Sequence, residues 1–201
     1  MKTNTMKIRI TLTEEMLGTA SFNPELHDEY IASKAPDAQS REEEVAALGV
    51  GEVIEKGMTG FPRDEHGNPI LWDYQIKGFF KDTAAAMKKI PGSLSAKVKA
   101  YKKEIDGLIF PQPRKIVLNL PKGGTVGDCQ RPLRASTPQG ERVALAHSES
   151  VPAGTWMDVE IVYFLPEHVE WIEEMLDFGC MRGLGQWRNS GKGRFQWEKL
   201  A

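Results

Sequence analysis

The chain has 201 residues, of which 40% are hydrophobic and 27% are charged, and its formal net charge is -2. These values are typical of a single globular domain and exclude a disordered or collagen-like chain. Because no stretch approaches the roughly 20 apolar residues of a membrane span and no signal-peptide core is present, we expect a cytoplasmic protein without a membrane partner. Cys129 and Cys180 are far apart and near no histidine cluster, so the sequence predicts no disulfide framework, metal site or cofactor.

Charge is distributed unevenly along the chain. Residues 14–65 hold thirteen acidic and four basic side chains, a net charge of -9. Three later blocks are basic, with net charges of +7 for residues 77–103, +4 for residues 114–134 and +4 for residues 178–201. Such blocks can bind a polyanion although the whole chain is slightly acidic. The lysines of residues 77–103 are equally consistent with the solvated face of a helix.

The first predicted element is a strand, because Ile8, Ile10 and Leu12 alternate with polar residues. Residues 19–70 follow it. They are acidic and rich in turn residues, and we interpret them as an insertion with a helix over residues 41–56.

The next predicted element is a helix over residues 77–89, since apolar side chains recur there at spacings of three and four. Pro91 and Gly92 end it, and a further helical stretch is predicted at residues 94–101.

Two strands are predicted in the second half of the chain, at residues 115–120 and 157–164. Between them, residues 121–154 contain a Pro-Gln-Gly turn at Pro138 flanked by extendable segments, which predicts a protruding hairpin. A helix opens at Pro166, and residues 194–199 form the last strand.

The predicted order is strand, helix, strand, strand, helix, strand. This is the order of the ferredoxin-like (RRM-like) βαββαβ core, an α+β fold with both helices on one face of a four-stranded antiparallel sheet. The open face of such a sheet is a common platform for RNA. We therefore predict a single domain over residues 1–201, with the acidic insertion after strand one and the hairpin between strands two and three.

The most informative segment, residues 182–194, reads RGLGQWRNSGKGR. It lies between a predicted helix and the last strand, where glycines let the backbone approach a phosphate closely. Its spacing excludes a Walker A loop, because five residues separate Gly185 from Gly191 and Lys192 is followed by glycine. A dinucleotide fingerprint is excluded as well, since Arg188 occupies the place of its third glycine.

Four segments occur in the order in which a known family carries similar motifs. LGQWRNSGKGRFQWEKL is similar to a glycine-rich loop with the strand after it, and IRITLTEEMLGTA to an opening strand with the glycine that ends it. ILWDYQIKGFFKDTA resembles a Lys-Gly step at a helix start, and RASTPQGERVALAHSESVPAGTWMDVEIVYF a thumb hairpin that returns into the third strand. Together they resemble the RAMP superfamily, the RNA-binding subunits of CRISPR effector complexes, and most closely the backbone subunit that repeats along guide RNA.

The resemblance implies a protein that grips single-stranded, guide-like RNA through backbone contacts, self-associates along it and assembles with other effector subunits. Residues 121–154 correspond to the thumb. The glycines expected to allow close approach to RNA are Gly183, Gly185, Gly191 and Gly193. The side chains expected to contact RNA are Lys77, Lys81, Arg131, Arg134, Trp187, Arg188, Lys192 and Arg194.

RNA cleavage is the first alternative function. Some members of the family cleave RNA with an aspartate in the loop after the first strand, and Asp28 is the candidate by position, although a hydrated acidic loop explains it as well. A related endoribonuclease activity would use acid-base catalysis by a histidine, for which His66, His147 and His168 are available. No paired carboxylates or metal-ligand spacing accompany these residues, so the sequence favours a non-catalytic protein.

A protein-binding role is the second alternative. A phage-type module that mimics or caps an effector backbone subunit would share these motifs, and its acidic insertion would imitate nucleic acid. Co-purifying RNA and large particles would favour the RNA-binding subunit, whereas a monomer free of RNA would favour the module.

Overall fold

The computed structural model describes residues 3–21, 58–137 and 140–200, with the backbone alone described for residues 133–137 and 140–144. Asp28, the predicted helix over residues 41–56 and the predicted turn at Pro138 lie outside these residues. The chain divides into two compact units. The first comprises Met1–Met16, Pro62–Thr125 and Val151–Ala201, and the second comprises Leu17–Phe61 and Val126–Ser150. The single domain over residues 1–201 stays a prediction.

The described residues form a mixed α+β fold. In chain order the strands are β1 Asn4–Leu12, β2 Met16–Leu17, β3 Ala20–Ser21, β4 Thr59–Gly60, β5 Ile70–Trp72, β6 Ile109–Gln112, β7 Lys115–Val117, β8 Gly127–Thr137, β9 Gly140–Val151, β10 Trp156–Tyr163 and β11 Phe195–Lys199. The helices are α1 Asp73–Met87, α2 Leu94–Lys97, α3 Tyr101–Leu108 and α4 His168–Arg182, with a 3-10 turn over Arg188–Ser190. None of these helices has the length and apolar composition needed to cross a membrane.

The first unit contains a four-stranded antiparallel sheet in the order β11-β1-β10-β6. The alternation of apolar and polar residues in β1 corresponds to two faces of the strand. Ile8, Ile10 and Leu12 are at most 2% exposed, while the residues between them are not buried. The predicted first, third and last strands are confirmed, with ends that differ by a few residues.

A strand is present where the second core strand is predicted, at residues 115–120, but its assignment to the four-stranded sheet is wrong. Residues 115–117 form β7, which pairs with β5 in a separate two-stranded sheet, and β6 occupies the fourth place in the larger sheet. Pro111 lies inside β6, and a proline argues against a strand in sequence-based reasoning. It is tolerated because β6 is an edge strand of the sheet that the described residues form, and an edge strand can lack a ladder donor on its outer side.

Helices α1 and α4 pack closely against each other and against the buried side of the sheet. The Phe79 ring of α1 lies 5.6 Å from the Phe195 ring of β11. A Cβ on Gly179 of α4 would lie 2.1 Å from the Phe79 ring, so only glycine permits this approach. Helix α1 begins four residues before the predicted start, where the Trp72 N–H donates to Gln75 Oε1 at 2.7 Å. The helix predicted at residues 94–101 ends at Lys97 as α2, and a separate helix, α3, begins at Tyr101.

The second unit is built around the hairpin of β8 and β9, whose register runs from Gly127 opposite Ser150 to Thr137 opposite Gly140. This hairpin falls within residues 121–154, where the sequence predicts one. Strand β9 also pairs in parallel with β4, where the hydroxyls of Thr59 and Ser148 are 2.8 Å apart. The Glu149 carboxylate accepts a hydrogen bond from the Phe61 N–H at 2.9 Å, which fixes the end of β4.

A buried polar contact fixes α2 to α4. The Glu174 carboxylate of α4 accepts hydrogen bonds from the Leu94 N–H at 2.8 Å and the Ser95 N–H at 3.3 Å. The Trp171 indole N–H donates to the fully buried Ser95 hydroxyl at 2.8 Å. The first backbone N–H groups of α2 therefore depend on a side chain about 80 residues later in the sequence.

We expect Glu174→Ala to lower the free energy of unfolding by about 1–3 kcal/mol, because it leaves backbone donors of α2 without a charged acceptor. Glu173→Ala is the matched control, since Glu173 forms only a surface ion pair with Lys199 at 3.1 Å and should lose less than about 1 kcal/mol. Urea unfolding of both variants measures the difference. Equal losses would contradict the role given to Glu174.

Candidate nucleic-acid interface

The loop between α4 and β11 is fixed by backbone hydrogen bonds at its ends. The Leu184 N–H donates to the Gly193 carbonyl at 2.9 Å, so the loop closes on itself. The Gly193 N–H donates to the Glu15 carbonyl at 2.7 Å, and the Thr13 N–H donates to the Arg194 carbonyl at 2.9 Å. The loop is therefore attached to the segment that follows β1.

Two of the four loop glycines are required by this closure. A Cβ on Gly193 would lie 1.9 Å from the Leu184 carbonyl oxygen, and one on Gly183 would lie 2.5 Å from the Lys192 carbonyl oxygen. Gly191, with φ of 87°, has only the Arg194 side chain nearby, at 3.7 Å. Gly185 has φ of 75°. Internal packing thus explains Gly183 and Gly193, whereas the surroundings of Gly191 leave room for a Cβ.

Trp187 lies in the middle of the loop in a left-handed conformation, with φ of 53° and ψ of 34°. This conformation is uncommon for a residue other than glycine. The Ser190 hydroxyl donates to the Trp187 carbonyl at 2.8 Å, which stabilises the turn. The Trp187 side chain is 42% exposed, so part of the indole is accessible.

The two arginines at the start of the loop share one carboxylate. Asp82 of α1 accepts hydrogen bonds from Arg182 Nε at 2.5 Å and Nη2 at 3.0 Å, and from Arg188 Nη1 at 2.7 Å. The hydrogen bond from Arg182 is the largest of the effects that lower the pKa of Asp82. The carboxylate is therefore ionised at neutral pH and holds both guanidinium groups.

The other two loop cations also have partners. Lys192 forms an ion pair with the Glu15 carboxylate, and Arg194 Nε donates to the Met181 carbonyl at 3.2 Å. Four cations and two carboxylates give this group a net charge of +2. We call it the loop cluster: Glu15, Asp82, Arg182, Arg188, Lys192 and Arg194.

Sequence reasoning missed Asp82, Glu15 and the part played by Arg182. One signal was present, because Asp82 is the only acidic residue among the eight lysines of residues 77–103. Its partners are 100 and 106 residues away in the sequence, so no local pattern could identify them.

Lys77 and Lys81 lie on α1 and contact the end of α3. Lys81 pairs with the Asp106 carboxylate at 2.9 Å, and Lys77 donates to the Asp106 carbonyl at 3.0 Å. The Lys77 ammonium also lies 4.2 Å from the centre of the Phe110 ring, and burial lowers its pKa. Both lysines thus have contacts within the first unit.

Arg131 and Arg134 belong to the second unit and lie on β8. Arg131 is 8% exposed, and its backbone lies opposite Ala146 in the hairpin. The backbone of Arg134 lies opposite Val143. The predicted RNA contacts are thus divided between the two units.

The histidines do not form a common site among the described residues. His168 is 4% exposed and lies against Trp171 with 5.7 Å between ring centres, and burial is the largest effect on its pKa, which is lowered. His147 Nδ1 lies 3.7 Å from the Asp128 carboxylate on the hairpin. His66 lies in an exposed turn beside Asp64.

The outward face of the four-stranded sheet has paired charges. Lys7 lies opposite Glu160, with 3.8 Å between the charged atoms, and Arg9 donates to the Asp158 carboxylate at 2.7 and 2.8 Å. Arg9 also lies opposite Glu198 of β11, and its guanidinium is 4.0 Å from the centre of the Trp156 ring. These five charged residues have a net charge of -1.

Comparison with known proteins identifies the fold. No family model and no curated protein matches the chain. A chain of the type III-B Cmr-beta structure bound to cognate target RNA is similar, with a TM-score of 0.54 and 14% identity over 99% of this chain and 61% of its own length. Cmr6 from Pyrococcus furiosus is matched with a TM-score of 0.48 and 11% identity, over 97% of this chain and 98% of Cmr6.

The described fold is thus similar to that of a chain in a CRISPR-associated type III-B Cmr-beta structure, which agrees with the fold that the motif resemblance implies. The chain spans 61% of the length of the Cmr-beta chain that it matches.

Comparison of Gly193→Ala with Gly191→Ala distinguishes the cost of steric overlap in the loop from the cost of the left-handed backbone conformation. Both glycines have positive φ, so the second cost is common to both variants. Each substitution should cost about 1 kcal/mol of unfolding free energy for the left-handed conformation. Gly193→Ala should cost at least about 2 kcal/mol more, since its Cβ collides with the Leu184 carbonyl. Denaturant unfolding gives both values, and equal losses would contradict the closure of the loop.

The buried His168 predicts a pH dependence of stability. Its folded pKa is below the unfolded value of about 6.5, so the unfolded chain binds the proton first and stability decreases as pH falls below about 6.5. Glu104 and Glu167 oppose the lowering but less strongly than burial.

His168→Phe should therefore weaken the loss of stability between pH 6.5 and 5, while His66→Gln, in the exposed turn, should leave it unchanged. Thermal unfolding across this pH range tests both variants. An identical pH dependence in His168→Phe and the wild type would contradict the assignment.

Proposed function

We propose that the protein is an RNA-binding subunit of a CRISPR-type ribonucleoprotein that acts in antiviral defence in the cytoplasm. It grips single-stranded, guide-like RNA through its sugar-phosphate backbone, largely independently of sequence. The fold supports this role, because its Cmr-beta neighbour is a chain of an RNA-bound type III-B structure.

The core of the first unit is, in this proposal, a ferredoxin-like βαββαβ domain. Its support is the chain order β1, α1, β6, β10, α4, β11 together with the sheet order β11-β1-β10-β6. In that arrangement both helices pack on one face of the sheet. Further elements interrupt the order, and the longest of those in the described residues is the hairpin of β8 and β9 between the second and third strands of the core.

The loop cluster is the observation that carries the proposal. The cluster has a net charge of +2. The backbone of the loop that carries its cations is attached at both ends, and the motif resemblance implies RNA contact for this loop. Guanidinium groups suit phosphate because their planar N–H donors match the geometry of its oxygens. Arginines that are already held in place also lose little side-chain entropy when a phosphate binds. The outward face of the sheet has a net negative charge and offers no comparable group.

The hairpin supports the second part of the proposal, which is self-association along RNA and assembly with other effector subunits. It is a long antiparallel ribbon, with β8 of 11 residues and β9 of 12. Such a ribbon can reach beyond the unit that carries it. We assign it the role of the thumb, with Arg134 and the buried Arg131 on its first strand.

Binding of labelled single-stranded RNA at increasing salt tests the proposal. We expect affinity to fall steeply with salt, and Arg188→Ala with Lys192→Ala to weaken binding by about tenfold or more. The slope of log affinity against log salt should decrease by about 1.4, since each phosphate contact contributes about 0.7 for a single strand.

The matched control is Lys7→Ala with Lys199→Ala, which also removes two cations but leaves the loop cluster intact. It should change both affinity and slope much less. A salt-independent affinity would contradict RNA binding through phosphates, and equal losses in both double variants would contradict the assignment of the loop.

A further inference from the structure

We propose that Asp82 is a positioning residue that holds Arg182 and Arg188 together as a site for one phosphate of the RNA strand. The inference rests on the proposed function and names a contact within it. It adds to the loop a carboxylate from another element and an arginine that the motif resemblance does not include.

The three side chains come from three different elements. Asp82 is on α1, Arg182 is the last residue of α4, and Arg188 begins the 3-10 turn. Asp82 accepts two hydrogen bonds from Arg182, through Nε and Nη2, and one from Arg188, through Nη1. A single carboxylate thus determines how both guanidinium groups are oriented.

The two arginines keep donors for a ligand. Each guanidinium has five N–H groups, of which the contacts with Asp82 use two in Arg182 and one in Arg188. Their side chains are 37% and 32% exposed, so they remain accessible from solvent. Two positive charges and one negative charge leave the trio with a net charge of +1. This combination of spare donors, access and charge suits a phosphate diester.

Without Asp82, two like charges would lie close together with no ion between them. Arginine side chains have high rotamer entropy, and each would have to be ordered again when RNA binds. Removal of Asp82 also removes a negative charge near the RNA. If Asp82 positions the arginines, its removal should weaken RNA binding. If only its charge matters, its removal should strengthen RNA binding.

The test is Asp82→Asn, with RNA affinity measured by titration of labelled single-stranded RNA at several salt concentrations. Glu173→Gln is the matched control, because it also removes one carboxylate from a surface ion pair, here with Lys199. We expect Asp82→Asn to bind RNA about tenfold more weakly and with a lower salt slope, although its net charge is more positive. Glu173→Gln should bind as tightly as the wild type or slightly more tightly. Tighter binding by both variants would overturn the inference.

Arg188→Lys is a second test that does not depend on Asp82. It keeps the charge but loses the planar fork, so we expect about fivefold weaker binding, whereas unchanged affinity would overturn the site. RNA titration of the wild type distinguishes failure of the proposed function from failure of the role given to Asp82. If the wild type shows no salt-dependent RNA binding, the proposed function fails together with this site. If it binds and Asp82→Asn binds equally well or better, only the role of Asp82 fails.

Discussion

The approach of α4 to α1 at Gly179 is the constraint on which the rest of the first unit depends. The Phe79 ring occupies the space that a side chain at residue 179 would fill, and the same ring contacts Phe195 of β11. One aromatic side chain thus contacts both of the elements that the glycine-rich loop connects. Asp82 lies three residues after Phe79, and Arg182 three residues after Gly179. Close packing in the core therefore brings the carboxylate of one helix within reach of the arginine at the end of the other.

The backbone and the side chains have different roles in the loop, as the free energies of their interactions indicate. The ion pairs of the loop cluster are about one-third exposed, and exposed pairs contribute about 0.2–1 kcal/mol each. The loop backbone depends instead on intrachain hydrogen bonds of about 1 kcal/mol each and on the two glycines at its closure. Hence the backbone determines where the loop lies, and the carboxylates of Asp82 and Glu15 determine where Arg182, Arg188 and Lys192 point. In the proposed function, a change at Asp82 would therefore alter RNA binding while the loop keeps its fold.

Periodicity predicted most of the sheet and both large helices, because each of these elements has one buried face. The strand at Ile109–Gln112 was not predictable in the same way. It is four residues long, contains Pro111 and lies at the edge of the sheet, where neither length nor alternation distinguishes it from a loop. The next apolar run, Lys115–Val117, has a clear strand pattern but pairs with the three residues before α1. Local propensity identified that strand, whereas its partner depends on contacts about 45 residues away.

The candidate site was predictable only in part, because some of its residues are adjacent in the sequence and others are distant. The glycines and basic residues of the loop are consecutive in the sequence and carry a recognisable motif. Their partners Glu15 and Asp82 are distant, so the sequence could not indicate that Arg188 and Lys192 are already paired. The glycines have a reason that the motif does not reveal, since Gly183 and Gly193 allow two backbone segments to meet.

The charge pattern of the sheet bears on where the proposed RNA strand would lie on the first unit. In RNA-binding sheets of this type, exposed aromatic side chains on the open face stack on bases. Here the one tryptophan on the outward side of β10, Trp156, is covered by the Arg9 guanidinium, and Arg9 is held by Asp158. A base could stack on that face of the ring only by breaking a bidentate ion pair, and its phosphates would lie near Glu160 and Glu198. The loop cluster presents the opposite balance of charge. Under the proposed function, the RNA backbone would therefore lie at the loop between α4 and β11, because the carboxylates of the sheet would oppose binding across its outward face.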